Sequence, residues 1–350
     1  MSLRIHADRS IVPSHGAHVV MLYPFWGPNP EEPGDPNTGR FDRYREAGTA
    51  YFELANLASA DLVVFPCDWT PALAKEAERV VATAGEVGKP TAVFVAGDEH
   101  RTVRDAALVL QTSLERSRRL PNEFALPAWS EDFLTAHLGG ELPIRYKAPR
   151  PVVGFCGLAP GRRGIRARLR AHDAHTSIRA RALRLLRAHP AVDTNFVVRD
   201  RFLGGAIVGG AIDTDTMRRV RSEYVQNIVD SDYVLCARGA GNFSYRLYET
   251  LSCGRIPILV DTDSVLPLDF AADWRAHCIW VDESDLDDIG DRVAQFHDAI
   301  GEDEFAELQR ACRRFWEQYV TPEGFFAHFH DHLARVPSES GLRRPGSRRA

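Results

Sequence analysis

Two arginines, a serine and a glutamate lie close together in the chain and have side chains that suit a phosphorylated ligand: Arg238, Ser244, Arg246 and Glu249. Each guanidinium is a planar, permanently charged fork that fits phosphate oxygens. A serine near the start of a helix adds its hydroxyl to free backbone N–H groups that favour an anion. Glu249 lies three positions after Arg246 on the same helical face and suits a bidentate bond to ribose hydroxyls. This set predicts a ligand with both phosphates and hydroxyls, such as a nucleotide sugar.

The elements around these residues are predicted to be a strand, a glycine loop, a helix and a second strand. Residues 233–236 and 256–260 are short apolar runs, and Gly239 and Gly241 lie in the loop after the first run. This order is typical of an α/β domain that presents backbone N–H groups to phosphate.

A simpler interpretation makes Arg246 and Glu249 a surface ion pair and Ser244 a helix N-cap. For these three residues alone, the simpler interpretation is preferred. Arg238, the glycines and the whole motif together favour ligand binding.

The rest of the chain alternates short apolar runs with amphipathic helices, which predicts an α/β fold with parallel sheets covered on both faces. We predict strands at 18–23, 61–66, 91–96, 152–156, 194–198 and 278–281, and helices at 41–59, 71–86, 216–229, 286–299 and 304–333. The proline-rich segment 141–151 is the predicted linker. The predicted units are a Rossmann-like domain (1–146), a second one (147–301), a helical segment packing across both (302–335) and a disordered tail (336–350).

The central motif resembles that of the exostosin family of glycosyltransferases over about residues 215–300. The matching residues, in order, are Cys236, Arg238, Gly239, Ser244, Arg246, Glu249, Leu251, Gly254, Ile256, Pro257, Leu266 and Pro267. The resemblance implies the GT-B fold, in which two Rossmann-like domains face a central cleft and the C-terminal one binds the sugar donor. It also implies inverting transfer. The donor-binding candidates are Arg238, Gly239, Asn242, Ser244, Tyr245, Arg246 and Glu249, with Tyr245 more often a packing residue.

Inverting transfer needs a general base on the acceptor side, which we expect at the carboxyl ends of the first domain's strands. Glu99 is the first choice and Asp68 the second, and Asp98 and His100 lie in the same loops. His100 suits a hydrogen-bonding support better than the base. Each acid also has an ordinary interpretation as a solvated or capping residue at a strand end.

A metal is not expected, and no other cofactor is implied. Asp213-Thr214-Asp215 and Asp261-Thr262-Asp263 resemble the acid pairs that hold a divalent cation in other transferases. Three residues are a weak signal, and Asp213 suits the N-cap of the helix that follows.

An arginine-rich stretch has two interpretations: it contains Arg162, Arg163, Arg166, Arg168, Arg170, Arg179, Arg181, Arg184 and Arg187. It suits contact with an anionic membrane surface, a lipid-linked acceptor or an acidic polysaccharide. The preferred interpretation is a solvated helical face whose Ile and Leu residues pack inward.

Composition narrows the class of protein. A net charge of −5 over 350 residues argues against a nucleic-acid binder. Neither a secretory signal nor an apolar run long enough to span a membrane is evident. Six scattered cysteines predict cytoplasmic thiols.

The leading hypothesis is a cytoplasmic, metal-independent, inverting glycosyltransferase that moves a sugar from a UDP-sugar to a glycan or small-molecule hydroxyl, as in bacterial polysaccharide biosynthesis. The alternatives are a GDP-sugar enzyme similar to fucosyltransferases, and a catalytically silent glycan- or nucleotide-binding module on the same fold.

Overall fold

Two parallel β-sheets organise the chain, whose computed structural model describes residues 2–14, 16–159, 174–209 and 211–335. The first sheet contains β1 (Leu3–His6), β2 (Phe52–Leu54), β3 (Leu62–Asp68), β4 (Thr91–Val95), β5 (Leu108–Gln111) and β6 (Glu123–Ala125). Its strand order is β2-β1-β3-β4-β5-β6. The order reverses between β1 and β3, as in doubly wound folds.

The second sheet repeats this plan with five strands. It contains β7 (Val152–Leu158), β8 (Asp193–Arg199), β11 (Tyr233–Cys236), β12 (Ile256–Asp261) and β13 (Ile279–Asp282), and a small antiparallel pair, β9 (Ile207–Val208) and β10 (Ala211–Ile212), lies outside it. The strand order is β13-β12-β11-β7-β8. Strands β11 and β12 are buried along their whole length, which is why they read as continuous apolar runs.

Helices cover the sheets. They are α1 (Tyr23–Trp26), α2 (Asp42–Ala47), α3 (Ala74–Glu86), α4 (Phe133–His137), α5 (Ala174–Ala188), α6 (Thr214–Val229), α7 (Tyr245–Ser252), α8 (Ile289–Ala299), α9 (Glu302–Phe315) and α10 (Pro322–Arg335). Helix α3 shows the pattern that binds such helices to a sheet, because Ala77, Val81 and Ala84 recur on one face and are buried.

The carboxyl ends of the two sheets face each other. The backbone N–H of Asn242, after β11, donates to Ser113 Oγ, after β5, at 2.9 Å. Arg116 Nη2 donates to Asp261 Oδ2, at the end of β12, at 2.7 Å. Two Rossmann-like sheets with their carboxyl ends opposed form the GT-B architecture, so the predicted fold class is confirmed. The predicted boundary at 146/147 lies between β6 and β7 and stays a prediction.

The C-terminal helices pack against both sheets. Phe326 of α10 stacks on Tyr44 of α2, with ring centroids 4.5 Å apart. Helix α9 reaches the second sheet's side through Arg313, which donates to the Ser252 carbonyl at 2.7 Å. The predicted single segment 304–333 is two helices joined by a π-helical turn at Trp316–Val320, where Pro322 cannot continue the preceding hydrogen bonds.

The prediction of a first strand at 18–23 is wrong. Residues Val20–Leu22 form a short 3-10 helix that runs into α1, and the strand position next to β3 is taken by β1. Val19, Met21 and Leu22 are buried. A short apolar run satisfies packing equally well as a strand or as a buried turn, so its composition did not separate the two.

The prediction of a helix over 41–59 is also wrong beyond its first turns. Helix α2 ends at Ala47, and the chain then turns back to form β2 beside β1. Gly48 packs where an added Cβ would lie 2.3 Å from Pro24 Cγ, so the chain is held close to α1 at this turn. Strands β1, β5 and β6 lie outside the predicted elements.

Within the described residues, no helix combines the length and apolar character needed to cross a membrane. All six cysteines are buried and unpaired with one another. The predicted disordered tail, 336–350, lies outside the described residues.

Candidate functional site

The candidate site lies where the strand order of the second sheet reverses, between β7 and β11. Doubly wound folds bind ligands at such a switch point, at the carboxyl ends of the strands. The loop Ala237–Ser244 follows β11 and leads into α7. The predicted donor residues are therefore placed at this point by topology as well as by motif.

Ser244 is the N-cap residue of α7, as the simpler interpretation expected. Its side chain makes no capping hydrogen bond within the described part of the chain, and the residue is 9% exposed. The backbone around it is ordered by its neighbours. Gly239 N–H donates to the Phe243 carbonyl at 3.3 Å, and Thr262 Oγ1 donates to Asn242 Oδ1 at 2.7 Å. The hydroxyl at this helix start is thus available to a ligand.

Arg246 points back from α7 toward β7. Its Nη2 donates to the Cys156 carbonyl at 2.9 Å, and its guanidinium lies 4.3 Å from the Phe155 ring centroid. Gly157 makes room for it, because a Cβ there would lie 2.7 Å from Arg246 Nη2. The Nε of Arg246 is buried and has no hydrogen-bond partner among the described residues.

Arg238 is half-buried beside the same loop. Its Nη2 donates to the Ala240 carbonyl at 3.1 Å, while its buried Nε finds no partner within the described ranges. Burial lowers the pKa of Arg238, and the more distant carboxylates of Glu115, Glu283 and Asp98 oppose that shift.

Glu249 is buried on α7, and its carboxylate bonds to two residues of α6 and not to Arg246. Tyr224 donates its hydroxyl to Glu249 Oε2 at 2.6 Å, and Arg221 Nη1 lies 3.4 Å from Oε1. The surface ion pair of the simpler interpretation is therefore wrong. Arg246 stacks on Phe155 while Glu249 belongs to a buried network.

Arg221 connects this network to the first domain. Its Nε donates to Glu131 Oε1 at 2.8 Å and its Nη2 to Asn37 Oδ1 at 3.1 Å, both across the cleft. Its guanidinium also lies 4.4 Å from the Phe133 ring centroid. Sequence reasoning missed Arg221 and Tyr224, although Arg221 lies on the predicted helix 216–229.

Tyr245, the first residue of α7, is 50% exposed and packs edge-on to Phe243. An exposed aromatic ring at the carboxyl edge suits contact with a ligand, whereas the sequence favoured a packing role for Tyr245.

The structure separates the three predicted catalytic residues. Glu99 is exposed and forms an ion pair with Arg101. His100 has its imidazole buried against Glu123, with Nε2 at 3.2 Å from Oε2, which gives it the supporting role. Asp68 ends β3, and burial raises the pKa of its carboxyl.

Asp98 is the acid of this loop that lies against the donor motif. A Cβ on Gly241 would be 2.8 Å from Asp98 Oδ1, so the carboxylate touches the loop between Arg238 and Ser244. The sequence favours its neighbour Glu99, but it does not show which side chain of a loop faces the cleft.

The two aspartate pairs are engaged in structural contacts. Asp213 caps α6 by accepting from Thr216 N–H at 3.2 Å, as expected. Asp261 accepts from Arg116, and Asp263 accepts from the backbone N–H of Ser117 at 3.1 Å. The absence of a metal from the reaction stays a prediction.

Comparison with curated proteins confirms the exostosin resemblance over about a third of the chain. The chain is 31% identical over 107 residues to Exostosin-1 of Drosophila melanogaster, covering 31% of this chain and 14% of that protein. It is 28% identical over 97 residues to Exostosin-2 of Bos taurus, covering 28% and 13%. The match to the Exostosin-1 homolog of Caenorhabditis elegans is 26% over 116 residues, covering 33% and 28%. The chain thus matches less than a third of the length of each relative. No family model matches it.

Solved structures give a weaker likeness. A glycosyltransferase from Rickettsia africae has a TM-score of 0.38 and 10% identity, with 96% of this chain and 99% of that chain covered. Spinosyn rhamnosyltransferase complexed with spinosyn aglycone has a TM-score of 0.35 and 11% identity, covering 93% and 100%. These scores are too low for any residue or activity to be transferred.

Proposed function

We propose that the protein is an inverting, metal-independent glycosyltransferase that uses a nucleotide sugar, with a UDP-sugar as the first candidate. The observation that carries this proposal is the pair of arginines, Arg238 and Arg246, each with a buried unpaired Nε at the switch point of a doubly wound sheet. The partial similarity to exostosins supports the same reaction class.

The proposed donor site gives a role to five of the predicted residues. Arg238 and Arg246 bind the diphosphate, and the hydroxyl of Ser244 and the start of α7 add neutral donors. Glu249 binds the ribose hydroxyls through the carboxylate lone pairs that Tyr224 and Arg221 leave free. Tyr245 lines the edge of the site.

The proposed reaction has one displacement step. A carboxylate of the first domain accepts the proton of the acceptor hydroxyl, and the oxygen attacks the anomeric carbon. The bond from that carbon to the diphosphate oxygen breaks, and its electron pair leaves with the nucleoside diphosphate. The arginines stabilise this added negative charge. We assign the base to Asp98, because it is the candidate acid that contacts the donor loop.

The test is consumption of UDP-sugars and GDP-sugars by the wild-type chain and by Arg246→Ala. We expect release of the nucleoside diphosphate with a sugar acceptor, and a loss of about 10²–10³-fold in kcat/KM for the variant. The control is Arg218→Ala, since Arg218 is 80% exposed on α6 of the same domain.

Two results would contradict the proposal. Equal turnover by wild type and Arg246→Ala would exclude the donor site. Measurable nucleotide-sugar binding with intact donor after long incubation with glycan acceptors would favour a silent binding module.

A further inference from the structure

A third arginine reaches the candidate donor site from α5. Arg179 Nη1 donates to the Leu158 carbonyl at 2.9 Å, at the end of β7. Its Nη2 donates to the Arg238 carbonyl at 2.9 Å and the Ala237 carbonyl at 3.2 Å, in the loop after β11. Arg179 therefore spans the two sides of the switch point. The other described members of the basic stretch behave as a helical face, with Arg181 paired to Asp287 at the surface.

Arg179 and Arg246 share one aromatic ring. Their guanidinium carbons lie 5.8 Å and 4.3 Å from the Phe155 ring centroid. Burial and then the positive charge of Arg246 lower the pKa of Arg179 to about 10, so it still carries its charge at neutral pH. Two cations at one ring repel each other, and the ring offsets only part of that cost.

No guanidinium of this group has a carboxylate within ion-pair distance in the described part of the chain, although three carboxylates act on Arg238 from further away. Arg179, Arg238 and Arg246 each keep a buried Nε without a hydrogen bond there, and none forms an ion pair with a described acid. A buried guanidinium normally has its charge or all its N–H groups satisfied.

Other buried arginines of this protein show how the fold satisfies a structural guanidinium. Arg313 pairs with Asp132 through two nitrogens, at 2.6 and 2.9 Å. Arg255 has no close acid among the described residues, but its Nε, Nη1 and Nη2 all donate, to acceptors that include the Val229 carbonyl and Gln309 Oε1. The three arginines at the switch point follow neither pattern. Their unpaired Nε atoms belong to residues that meet at the switch point of the second sheet, where a ligand is expected.

We infer that Arg179 joins Arg238 and Arg246 in a three-arginine site for a diphosphate, so that the protein selects nucleoside diphosphate donors over nucleoside monophosphates. This inference rests on the proposed function and names its substrate class more closely. A third cation matches the charge of a diphosphate better than that of a monophosphate. It also stabilises the charge that the diphosphate gains when the glycosidic bond breaks.

The experiment is calorimetric titration of UDP against UMP, and of GDP against GMP, into wild type, Arg179→Gln and Arg179→Lys. We expect wild type to bind the diphosphate more tightly. Arg179→Gln should weaken diphosphate binding by about 10–100-fold, because the hydrogen bond from the Arg179 guanidinium to the second phosphate is lost. Monophosphate binding should weaken much less, because a monophosphate lacks that second phosphate. Arg179→Lys should restore part of the selectivity because it keeps the charge. Arg184→Gln is the control, since Arg184 is exposed on the same helix.

The ratio of the two affinities separates ligand binding from a structural role. If Arg179 only positions the loop through its carbonyl bonds, diphosphate and monophosphate affinities fall together and the ratio stays at the wild-type value, which overturns the inference. If Arg179→Gln does not fold, competition on wild type decides: inorganic pyrophosphate must displace the nucleotide far better than inorganic phosphate. Wild type that binds no nucleotide overturns the inference and the proposed function together, whereas an unchanged ratio overturns the inference alone.

Discussion

Two glycines make room for the charged side chains of the candidate site. Gly157 has φ +153°, a conformation that other residues rarely adopt, and its missing Cβ leaves space for Arg246. Gly241 leaves space for the Phe243 ring and for Asp98 on the opposite side of the cleft, since an added Cβ would clash with that ring and lie 2.8 Å from Asp98 Oδ1. Any larger residue at either position would displace a charged group, so these glycines control the geometry of the site.

Asp98 and Glu99 give a matched pair for testing the general base. We expect Asp98→Asn to lower kcat by about 10²–10⁴-fold, because the acceptor hydroxyl loses its proton acceptor. Glu99→Gln should change kcat little, because the Glu99 carboxylate is at the surface with Arg101. The measurement is steady-state transfer with saturating donor. An inactive Glu99→Gln beside an active Asp98→Asn would assign the base to Glu99 and contradict the role of Asp98.

Helix α7 is short, yet all but its first residue are buried. Glu249 of α7 bonds to Tyr224 and Arg221 of α6. At the C-terminal end of α7, the Ser252 carbonyl accepts a hydrogen bond from Arg313 of α9. Arg313 also binds Asp132, the N-cap of α4, so one guanidinium joins three helices. Helix α7 is thus held at its middle by α6 and at its C-terminal end by α9.

We expect Arg313→Ala to lower the free energy of unfolding by roughly 1.5–3 kcal/mol, because the part-buried Asp132 carboxylate loses its charged hydrogen-bond partner. Arg310→Ala is the control on the same helix, and should cost less than about 1 kcal/mol since its ion pair is exposed. Chemical denaturation measures both. A loss for Arg313→Ala no greater than that of the control would contradict the role of this ion pair.

The same ion pair sets a dependence on pH. Burial would raise the pKa of Asp132, but the hydrogen bonds and charge of Arg313 outweigh burial, and the pKa is lowered from its usual value. A lowered carboxyl pKa stabilises the protein above the pKa of the unfolded chain, and this stability is lost as the pH falls through the folded pKa. The stability gap between wild type and Arg313→Ala should therefore narrow in acid.

At the scale of the whole molecule, one apolar core joins both sheets and the C-terminal helices. Val64 of β3, Leu235 of β11 and Phe326 of α10 belong to the same buried cluster. Charged contacts add to it across the cleft, as between Arg119 and Asp269. The two halves are therefore expected to unfold together.

Phe326 tests this shared core. It is fully buried against Tyr44, Phe52 and Trp129, so Phe326→Ala should cost about 3–5 kcal/mol through the cavity it leaves. Tyr146→Ala, at a residue that is 92% exposed, should change stability by less than about 0.5 kcal/mol. Denaturation followed by both fluorescence and circular dichroism should give one coincident transition. Two separate transitions in wild type would show that the halves fold independently.

Local sequence patterns predicted the α/β class, all five strands of the second sheet, and the loop and helix between β11 and β12. These features depend on local patterns, namely apolar runs, a glycine loop and an N-cap, which can be recognised within a few residues. Where the pattern was ambiguous, as at 18–23, prediction failed because a short apolar run packs equally well as a turn.

Which residues meet across these elements depends on the three-dimensional arrangement of the strands. Arg179 lies about sixty residues before Arg238, and its carbonyl bonds and shared ring with Arg246 depend on the pairing of β7 with β11. Asp98 reaches Gly241 only because the carboxyl ends of the two sheets are opposed. Such contacts come from strand order and from packing between distant segments, which no local spacing of residues encodes.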